Sequence, residues 1–198
     1  FEVTNKDISL KETVAIRYSL GFERMIREAV YNFDRIGLQS SFSRAGGSVF
    51  QGRSVNKNGY FGANPNRQYD YDHREDQALF LDNAMAENRF AAAQRVYERH
   101  REQAALFGGP AVVETFGETP FVPAVCREAC RMSEKQQKIS VSLTGRLSAL
   151  QNQYIKGKER SFTIIAFPVP EIGAQYQEIF DTVVEINTLD YMLYRKIQ

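Results

Sequence analysis

Hydrophobic residues recur with two different spacings along the chain, and these spacings predict alternating strands and helices. The run ETVAIRY at positions 12–18 is short, apolar and rich in β-branched residues, which is typical of a buried strand. Apolar residues then recur every three or four positions, as on one face of a helix, at Phe22, Ile26, Ala29, Phe33 and Ile36. Gly37 suits the left-handed end of that helix, and the stretch 38–44 is extended again. These segments predict a βαβ unit with a right-handed crossover.

The second half of the chain shows the same alternation. A long helix is predicted over 88–107, ended by Gly108-Gly109-Pro110 and followed by a strand at 111–116. Ser133 and Gln136 have the spacing of a capping box, which predicts the start of another long helix.

The clearest buried strand of the chain is SFTIIAF at 161–167. Pro170 after it suits the first turn of a helix over 171–186, and Thr188 is predicted to cap a last helix. Strands that alternate with helices of this length predict an α/β fold, with three α/β/α layers and a mostly parallel sheet of four or more strands. The 198 residues fit a single domain over 1–198, in which the Gly-, Asn- and Arg-rich stretch 45–72 forms a long loop.

Composition and charge exclude several classes of function. Lys and Arg number 25 against 24 Asp and Glu, so no bulk charge favours nucleic acid or an acidic membrane surface. No apolar run approaches the roughly 18–20 residues that span a bilayer. Cys126 and Cys130 are four positions apart, as on one face of a helix, and do not form a C-x-x-C motif, so we expect free thiols and a cytoplasmic protein. The start FEVTNKDISLKE has no signal-peptide core and no initiating methionine, so we expect a segment of a longer protein.

The stretch YDYDHREDQ at 69–77 concentrates the ionisable residues of the chain. A catalytic metal needs three or more converging ligands, but in an extended chain His73 points away from Asp70 and Asp72. The favoured interpretation is a helix start, with Asp72 as the N-cap and Glu75 at the third helical position. A loop that lines a substrate cavity or faces another domain, using Asp70, Asp72 and His73, remains open.

Other chemical centres find little support in the sequence. His100, the second of the two histidines, lies on the apolar stripe of its predicted helix, which favours a core or interface histidine over a ligand. The G-x-S-x-G, G-x-x-x-x-G-K-[ST] and G-x-G-x-x-G motifs are absent. We therefore assign no catalytic residue and no metal ligand.

Residues at the ends of predicted strands are the remaining candidates, because ligands of open parallel sheets bind outside the carboxyl ends of strands. Ser19 and Gly21, between the first strand and helix, could present amide groups to an anion. The candidates after the last strand are Phe167, Pro168, Pro170 and Glu171. The alternative for this turn is a rigid connection whose glutamate complements the helix dipole.

Residues 158–198 contain ERSFTIIAFPVPEIG followed by EIFDTVVEINTLDYMLYRKIQ. This run resembles the region before the catalytic domain in metallo-aminopeptidases of the aminopeptidase T, or thermophilic leucyl aminopeptidase, family. In similar members a strand is followed by a proline-containing turn, a helix and a second helix. The stretches EKQQKISVSLTGRLSALQNQYIKGKERSF, ETVAIRYSLGFERMIREAVYNFDRIGL and NPNRQYDYDHREDQALFLD resemble clostridial-type members of the family.

The resemblance implies a two-domain, usually dimeric exopeptidase that removes N-terminal residues from peptides with two divalent metals such as zinc, cobalt or magnesium. The N-terminal α/β domain borders the cavity of the metal-binding domain. The metal ligands, a set of Glu, His, Tyr and Asp, would follow Gln198, so none is placed on this chain. The expected partners are a C-terminal metallopeptidase domain, a peptide substrate and a second copy, and this segment alone is expected to be inactive.

Two other functions remain open from the residues alone. One is a self-sufficient domain that binds a small ligand or nucleotide at Ser19, Gly21 and the turn 167–171. The other is an interaction module that uses the 45–72 loop with Phe50, Tyr60 and Phe61.

Overall fold

Strands and helices alternate along the chain in the computed structural model, which describes residues 6–19, 21–42, 67–188, 190, 192, 193 and 196. The strands are β1 (Thr13–Tyr18), β2 (Gln39–Phe42), β3 (Phe107–Phe116) and β4 (Thr163–Pro168). The helices are α1 (Glu23–Arg35), α2 (Arg67–Asp72), α3 (Asn83–Arg99), α4 (Arg101–Ala105), α5 (Glu134–Tyr154) and α6 (Tyr176–Asn187). Short 3₁₀ turns occupy Ile8–Leu10, Asp76–Leu79 and Pro170–Ile172.

The described strands form one all-parallel sheet in the order β2-β1-β3-β4. β2 lies beside β1 on one side, whereas β3 and then β4 are added on the other side of β1. Because such crossovers are right-handed, α1 lies on one face of the sheet and α3 and α5 lie on the other. The predicted three-layer α/β fold with a parallel sheet is confirmed.

The main core lies between the sheet and the layer formed by α1 and α6. Its buried members are Ile16, Tyr18, Ile26, Val113 and Phe167. These come from β1, α1, β3 and β4, the elements whose apolar spacing the sequence shows most clearly. The ring of Phe167 lies 5.2 Å from the ring of Phe22 before α1 and 5.2 Å from that of Phe180 in α6, so aromatic contacts connect the sheet to both helices.

Helices α3 and α5 pack chiefly against each other. Arg146 of α5 pairs with the carboxylate of Glu87 and lies over the ring of Phe90, 4.1 Å from its centroid. Further along both helices, the rings of Tyr97 and Tyr154 stack with centroids 5.2 Å apart. Because these contacts advance in the same direction along both helices, the pair is parallel. Among the described residues on this side of the sheet, Ile164 of β4 is exposed.

Several sequence predictions are wrong in their boundaries. The long helix does not run from 88 to 107: α3 begins after Asp82, whose carboxylate accepts a hydrogen bond from Met85 N at 2.7 Å, and it ends at Arg99. Gly108-Gly109-Pro110 does not terminate a helix, because these residues belong to β3, in which Gly109 and Pro110 pair with β1. His100 is not a core residue, since it lies exposed between α3 and α4.

Two predicted helix caps are also wrong. Asp72 is the last residue of α2 rather than the N-cap of a long helix. Thr188 follows α6 as its C-cap, and Asp190 instead accepts hydrogen bonds from Met192 N and Leu193 N at 3.0 Å each, as the start of the next helix.

Other local predictions are confirmed. The capping box of Ser133 and Gln136 has both reciprocal hydrogen bonds. Cys126 and Cys130 are free, although they lie in the connection before α5 rather than on a helix. Within the predicted 45–72 loop, residues 67–72 form α2, and the remainder, with Phe50, Tyr60 and Phe61, lies outside the described residues.

Candidate functional site at the carboxyl ends of the strands

The strand order places a topological switch point between β1 and β3. The connection after β1 leads towards β2, whereas the connection after β3 leads towards β4, so the two diverge above the sheet. In open α/β sheets, ligands bind in the crevice that such a divergence leaves at the carboxyl ends of the strands. We call this end of the sheet the carboxyl edge, formed by Ser19 and Gly21 after β1, 117–119 after β3 and 169–172 after β4.

After β1, the backbone turn already holds a carboxylate of the chain itself. Gly21 has a φ of +101° and donates its N–H to both carboxylate oxygens of Glu23, each at 3.1 Å. Glu23 is also the first residue of α1, where an acid complements the positive end of the helix. A phosphate at this amide would have to displace Glu23. Ser19 is buried, and it lies between the strand and this turn.

The segment after β3 contacts the turn after β4. Phe116 O accepts a hydrogen bond from Val169 N at 2.9 Å. Gly117 has a φ of +87°, and a Cβ added there would lie 2.9 Å from the side chain of Ile172. Thr115 Oγ1 donates to Glu118 Oε1 at 3.0 Å, which holds a second carboxylate near this edge. The ends of the two strands therefore form one surface.

The four candidate residues after the last strand separate into two pairs. Phe167 and Pro168 are buried, and Phe167 belongs to the main core. Pro170 and Glu171 are exposed in the 3₁₀ turn that follows. Only the second pair can contact a ligand or a partner directly, and the first pair positions that turn from beneath.

Helix α2 lies beside the carboxyl edge, because its first turn is bound to the connection 117–133. Arg67 donates from Nη1 to Thr119 O at 2.7 Å, and its guanidinium lies 5.4 Å from the ring centroid of Phe121. The Gln68 amide donates to Ala124 O at 3.0 Å and accepts from Ala124 N at 2.9 Å. The candidates Asp70, Asp72 and His73 are therefore carried on an anchored helix and its C-terminal turn.

His73 forms the one histidine–carboxylate pair of the described residues. Its Nδ1 lies 2.8 Å from Asp76 Oδ2, and its ring packs on Tyr69 with centroids 4.2 Å apart. Asp72 instead accepts from the Gln68 amide at 2.8 Å. A pair of this kind can hold or transfer a proton. However, no three His, Cys, Asp or Glu side chains come together as a metal would require within the part of the chain that is described.

The connection 117–133 is fixed at its far end by side chains whose contacts with distant segments the sequence patterns did not predict. Glu75 Oε2 accepts from Met132 N at 2.8 Å. Gln136 Nε2 donates to Ala78 O at 2.7 Å and to Leu81 O at 3.1 Å, in addition to its part in the capping box. A cavity of about 440 Å³ lies between the first turns of α3 and α5. The side chains of Asp82 and Ser133 on its wall already cap these helices.

Apolar side chains of this region are exposed. Val122 and Val125 in the connection are almost fully accessible, and Tyr69 and Leu79 of the neighbouring segment are more than half accessible. We call these four residues the connection surface. Exposed apolar residues on one connection and its neighbouring segment are candidates for a protein contact.

Comparisons with protein-family models, with curated proteins and with solved structures all gave no match. Among the described helices, none is both long enough and apolar enough to cross a membrane.

The sequence predicted the positions of the strand-end candidates but not their partners. Glu23, Arg67, Gln68 and Glu118 were missed because their roles depend on contacts with other segments. The acid at the start of α1, two positions after Gly21, is the one local signal that could have identified its role.

Proposed function

We propose that this chain is the α/β domain of a metal-dependent aminopeptidase, an enzyme that removes N-terminal residues from peptides. The observation that carries the proposal is the order of elements in 158–198. The family resemblance of this segment implies a strand, a proline-containing turn, a helix and a second helix. The chain has β4, the turn at Pro170, α6 and a new helix start capped by Asp190, in that order.

The role proposed for this domain is to border the substrate cavity. Candidates far apart in the sequence lie on or beside one end of the sheet, namely Ser19 and Gly21, the segment 70–73 and the turn 167–171. The adjacent connection surface supplies exposed apolar area for contact with a metal-binding domain. In this proposal the zinc, cobalt or magnesium ions belong to that other domain, and no residue of this chain takes a hydrolytic role. The protein is proposed to be a cytoplasmic homodimer, in keeping with its free thiols.

The direct test is the reading frame of the gene beyond Gln198 together with the activity of its product. We expect a following domain with a Glu, His, Tyr and Asp ligand set, and metal-dependent hydrolysis of leucyl p-nitroanilide. The 198-residue chain alone is expected neither to hydrolyse this substrate nor to retain stoichiometric metal after dialysis. Hydrolysis by the chain alone, or a following domain without such ligands, contradicts the proposal.

Variants of the connection surface test the proposed role within that enzyme. Val122→Asp and Val125→Asp introduce charge where the metal-binding domain is proposed to pack, so kcat/KM for a peptide should fall about tenfold or more, equivalent to about 1.4 kcal/mol. Val141→Asp is the matched control, because Val141 is a similarly exposed valine on α5. Equal effects of all three substitutions would contradict a specific role for this surface.

A second candidate is a self-sufficient small-ligand domain, which the switch point between β1 and β3 favours. The carboxylates of Glu23 and Glu118 disfavour phosphate groups there, so a neutral or cationic ligand fits better. Thermal unfolding with a panel of amines, sugars and nucleotides tests this function. A ligand at 100 times its Kd should stabilise the chain by about 2.7 kcal/mol. A panel that causes no shift removes this candidate.

A further inference from the structure

Among the described strands, β4 lies at the edge of the sheet and pairs only with β3. Its sequence TIIAFP contains no charged residue. Edge strands of soluble proteins are usually protected by lysines, bulges or a covering element, because their free backbone groups can pair with another strand. Pro168, which has no N–H group, is the last residue of β4, so the preceding residues keep the N–H groups that point away from β3.

Exposed apolar side chains flank this edge. Phe162 and Ile164, two positions apart on the face opposite α6, are 71% and 55% exposed. On the other face, Ile186 of α6 is 70% exposed. At 100° per residue, Ile186 lies about 120° around α6 from Phe180 and about 60° from Val183. It is therefore about 90° from the direction in which these two residues face the core. Because the crossovers are right-handed, the side of α6 that carries Ile186 faces the open edge of β4 rather than α1.

Ile186 also lies level with Ile164. Helix α6 returns antiparallel to β4, starting from the contact of Phe180 with Phe167. Six helical residues descend about 9 Å, and β4 covers the same distance in about three residues. The apolar residues of the two faces therefore form one band around the strand, which we call the β4 band (Phe162, Ile164 and Ile186).

The β4 band is large enough to contribute substantially to an interface. If a large apolar side chain has about 150–250 Å² of surface, the exposed fractions leave roughly 300–500 Å² in each copy. Two copies would bury about 600–1,000 Å² from these residues alone, against about 1,200 Å² for a small specific interface. Backbone pairing and flanking residues supply the remainder, so the expected dimer is of moderate affinity.

The charges at the two ends of β4 complement each other in an antiparallel pair. Lys156, Lys158 and Arg160 precede the strand with Glu159 among them, and Glu171 follows the strand. A two-fold axis through the middle of β4 places the basic approach of one copy beside Glu171 of the other. Such pairing is self-complementary, as a two-fold interface requires.

We propose that two copies of this chain associate through β4, pairing antiparallel to form one continuous sheet of eight strands. The occupant of the edge is thus a second copy rather than a foreign peptide, because the band and the charge order complement themselves. The proposal names a surface, whereas the family resemblance implies only that a dimer exists. It does not depend on the peptidase role, since association is measured without any activity.

The test is sedimentation velocity of the 198-residue chain from about 1 to 200 µM, a range that covers interfaces of this size. We expect a monomer–dimer equilibrium within this range. Ile164→Lys places a charge in the band and should raise the dissociation constant at least 100-fold, equivalent to about 2.7 kcal/mol. Val141→Lys, a substitution at another exposed apolar position, on α5, should change it less than threefold.

Charge reversal gives a second, independent measurement that leaves the apolar residues intact. Lys158→Glu and Glu171→Lys should each weaken the dimer at low salt, and the double variant should restore it. Circular dichroism verifies that each variant is folded. A wild-type chain that is monomeric at 200 µM overturns the proposal. The proposal is also overturned if Ile164→Lys leaves the dissociation constant unchanged or if Val141→Lys raises it as much as Ile164→Lys does. It is overturned as well if the double charge reversal does not restore the dimer. Each of these outcomes leaves the peptidase proposal untouched.

Discussion

Gly109 lies where β3 passes the backbone of Ser161 too closely for any side chain. Its φ is +127°, and a Cβ built on it would be 1.7 Å from the Ser161 carbonyl oxygen. The register between β1 and β3 shifts at this point: Thr13 faces Phe107 and Val14 faces Gly109, which leaves Gly108 as an extra residue. Gly108 O in turn accepts from Ser161 N at 2.9 Å. These two glycines thus form a β-bulge that admits the approach to β4.

Replacing Gly109 by alanine should destabilise the protein strongly. The new methyl group meets backbone that cannot rotate away, and the positive φ is unfavourable for alanine, so we expect a loss of about 3 kcal/mol or more. Urea unfolding followed by circular dichroism measures the loss. Gly145→Ala in α5 is the control: no atom lies within 4 Å of its added Cβ, and alanine should stabilise the helix by about 0.5–1 kcal/mol. Similar effects of the two substitutions would contradict the close approach.

At the scale of the elements, local patterns predicted those parts whose stability is local. The capping box at Ser133, the strand β1 and the helix α1 follow from spacing and propensity alone. The prediction that Gly108-Gly109-Pro110 ends a helix was wrong, because the pairing of Gly109 and Pro110 with β1 outweighs the low strand propensity of glycine and proline. The acid that caps α3 is Asp82 rather than Asp72, a choice that sequence spacing alone did not make.

The candidate site divides in the same way. The residues at strand ends could be predicted because parallel strands bring their carboxyl ends to one edge. The anchoring of α2 could not be predicted, because Arg67 and Thr119 are 52 positions apart and their contact depends on the tertiary fold.

The start of α5 provides a graded test of element stability. Ser133→Ala removes one cap and should cost about 1 kcal/mol. Gln136→Ala removes the other half of the box and also the donor to Ala78 O and Leu81 O, so its cost should reach about 2 kcal/mol. Ser148→Ala, at an exposed position of the same helix, should change stability by less than about 0.5 kcal/mol. Thermal and urea unfolding give the order of the three values, and any other order contradicts the bridging role of Gln136.

At the scale of the whole molecule, one buried lysine connects three distant segments at the amino ends of the strands. The side chain of Lys11 is 2% exposed. Its ammonium donates to Ala105 O at 2.6 Å, at the end of α4, and to Glu159 Oε2 at 3.3 Å, before β4. Glu159 also accepts from Lys156 at 3.1 Å. A buried amino group requires such partners. This cluster therefore fixes the segment before β1 to the end of α4 and to the segment before β4.

This cluster should make stability depend on pH in the acidic range. Hydrogen bonds from Lys156 and then Lys11 hold the pKa of the Glu159 carboxyl below its ordinary value. A carboxyl with a lowered pKa in the folded state contributes its full stabilisation above the unfolded pKa, and loses it as pH falls through the folded pKa. Wild type should therefore exceed Glu159→Gln in unfolding free energy at pH 7, and the difference should shrink towards pH 3. A Lys11→Met background should reduce the difference, whereas a difference independent of pH contradicts the linkage.

The order of strands in the sheet also has a consequence for synthesis on the ribosome. β1 is translated first and lies inside the finished sheet, yet β3, its longer neighbour, begins about 90 residues later. At about 5–20 residues per second, one side of β1 stays without its partner for roughly 5–20 s while the nascent chain grows. Val113 and Phe167, which pack with Ile16 and Tyr18 in the finished core, are not yet made during that interval, so a chaperone that binds emerging apolar segments should find its first target in this strand.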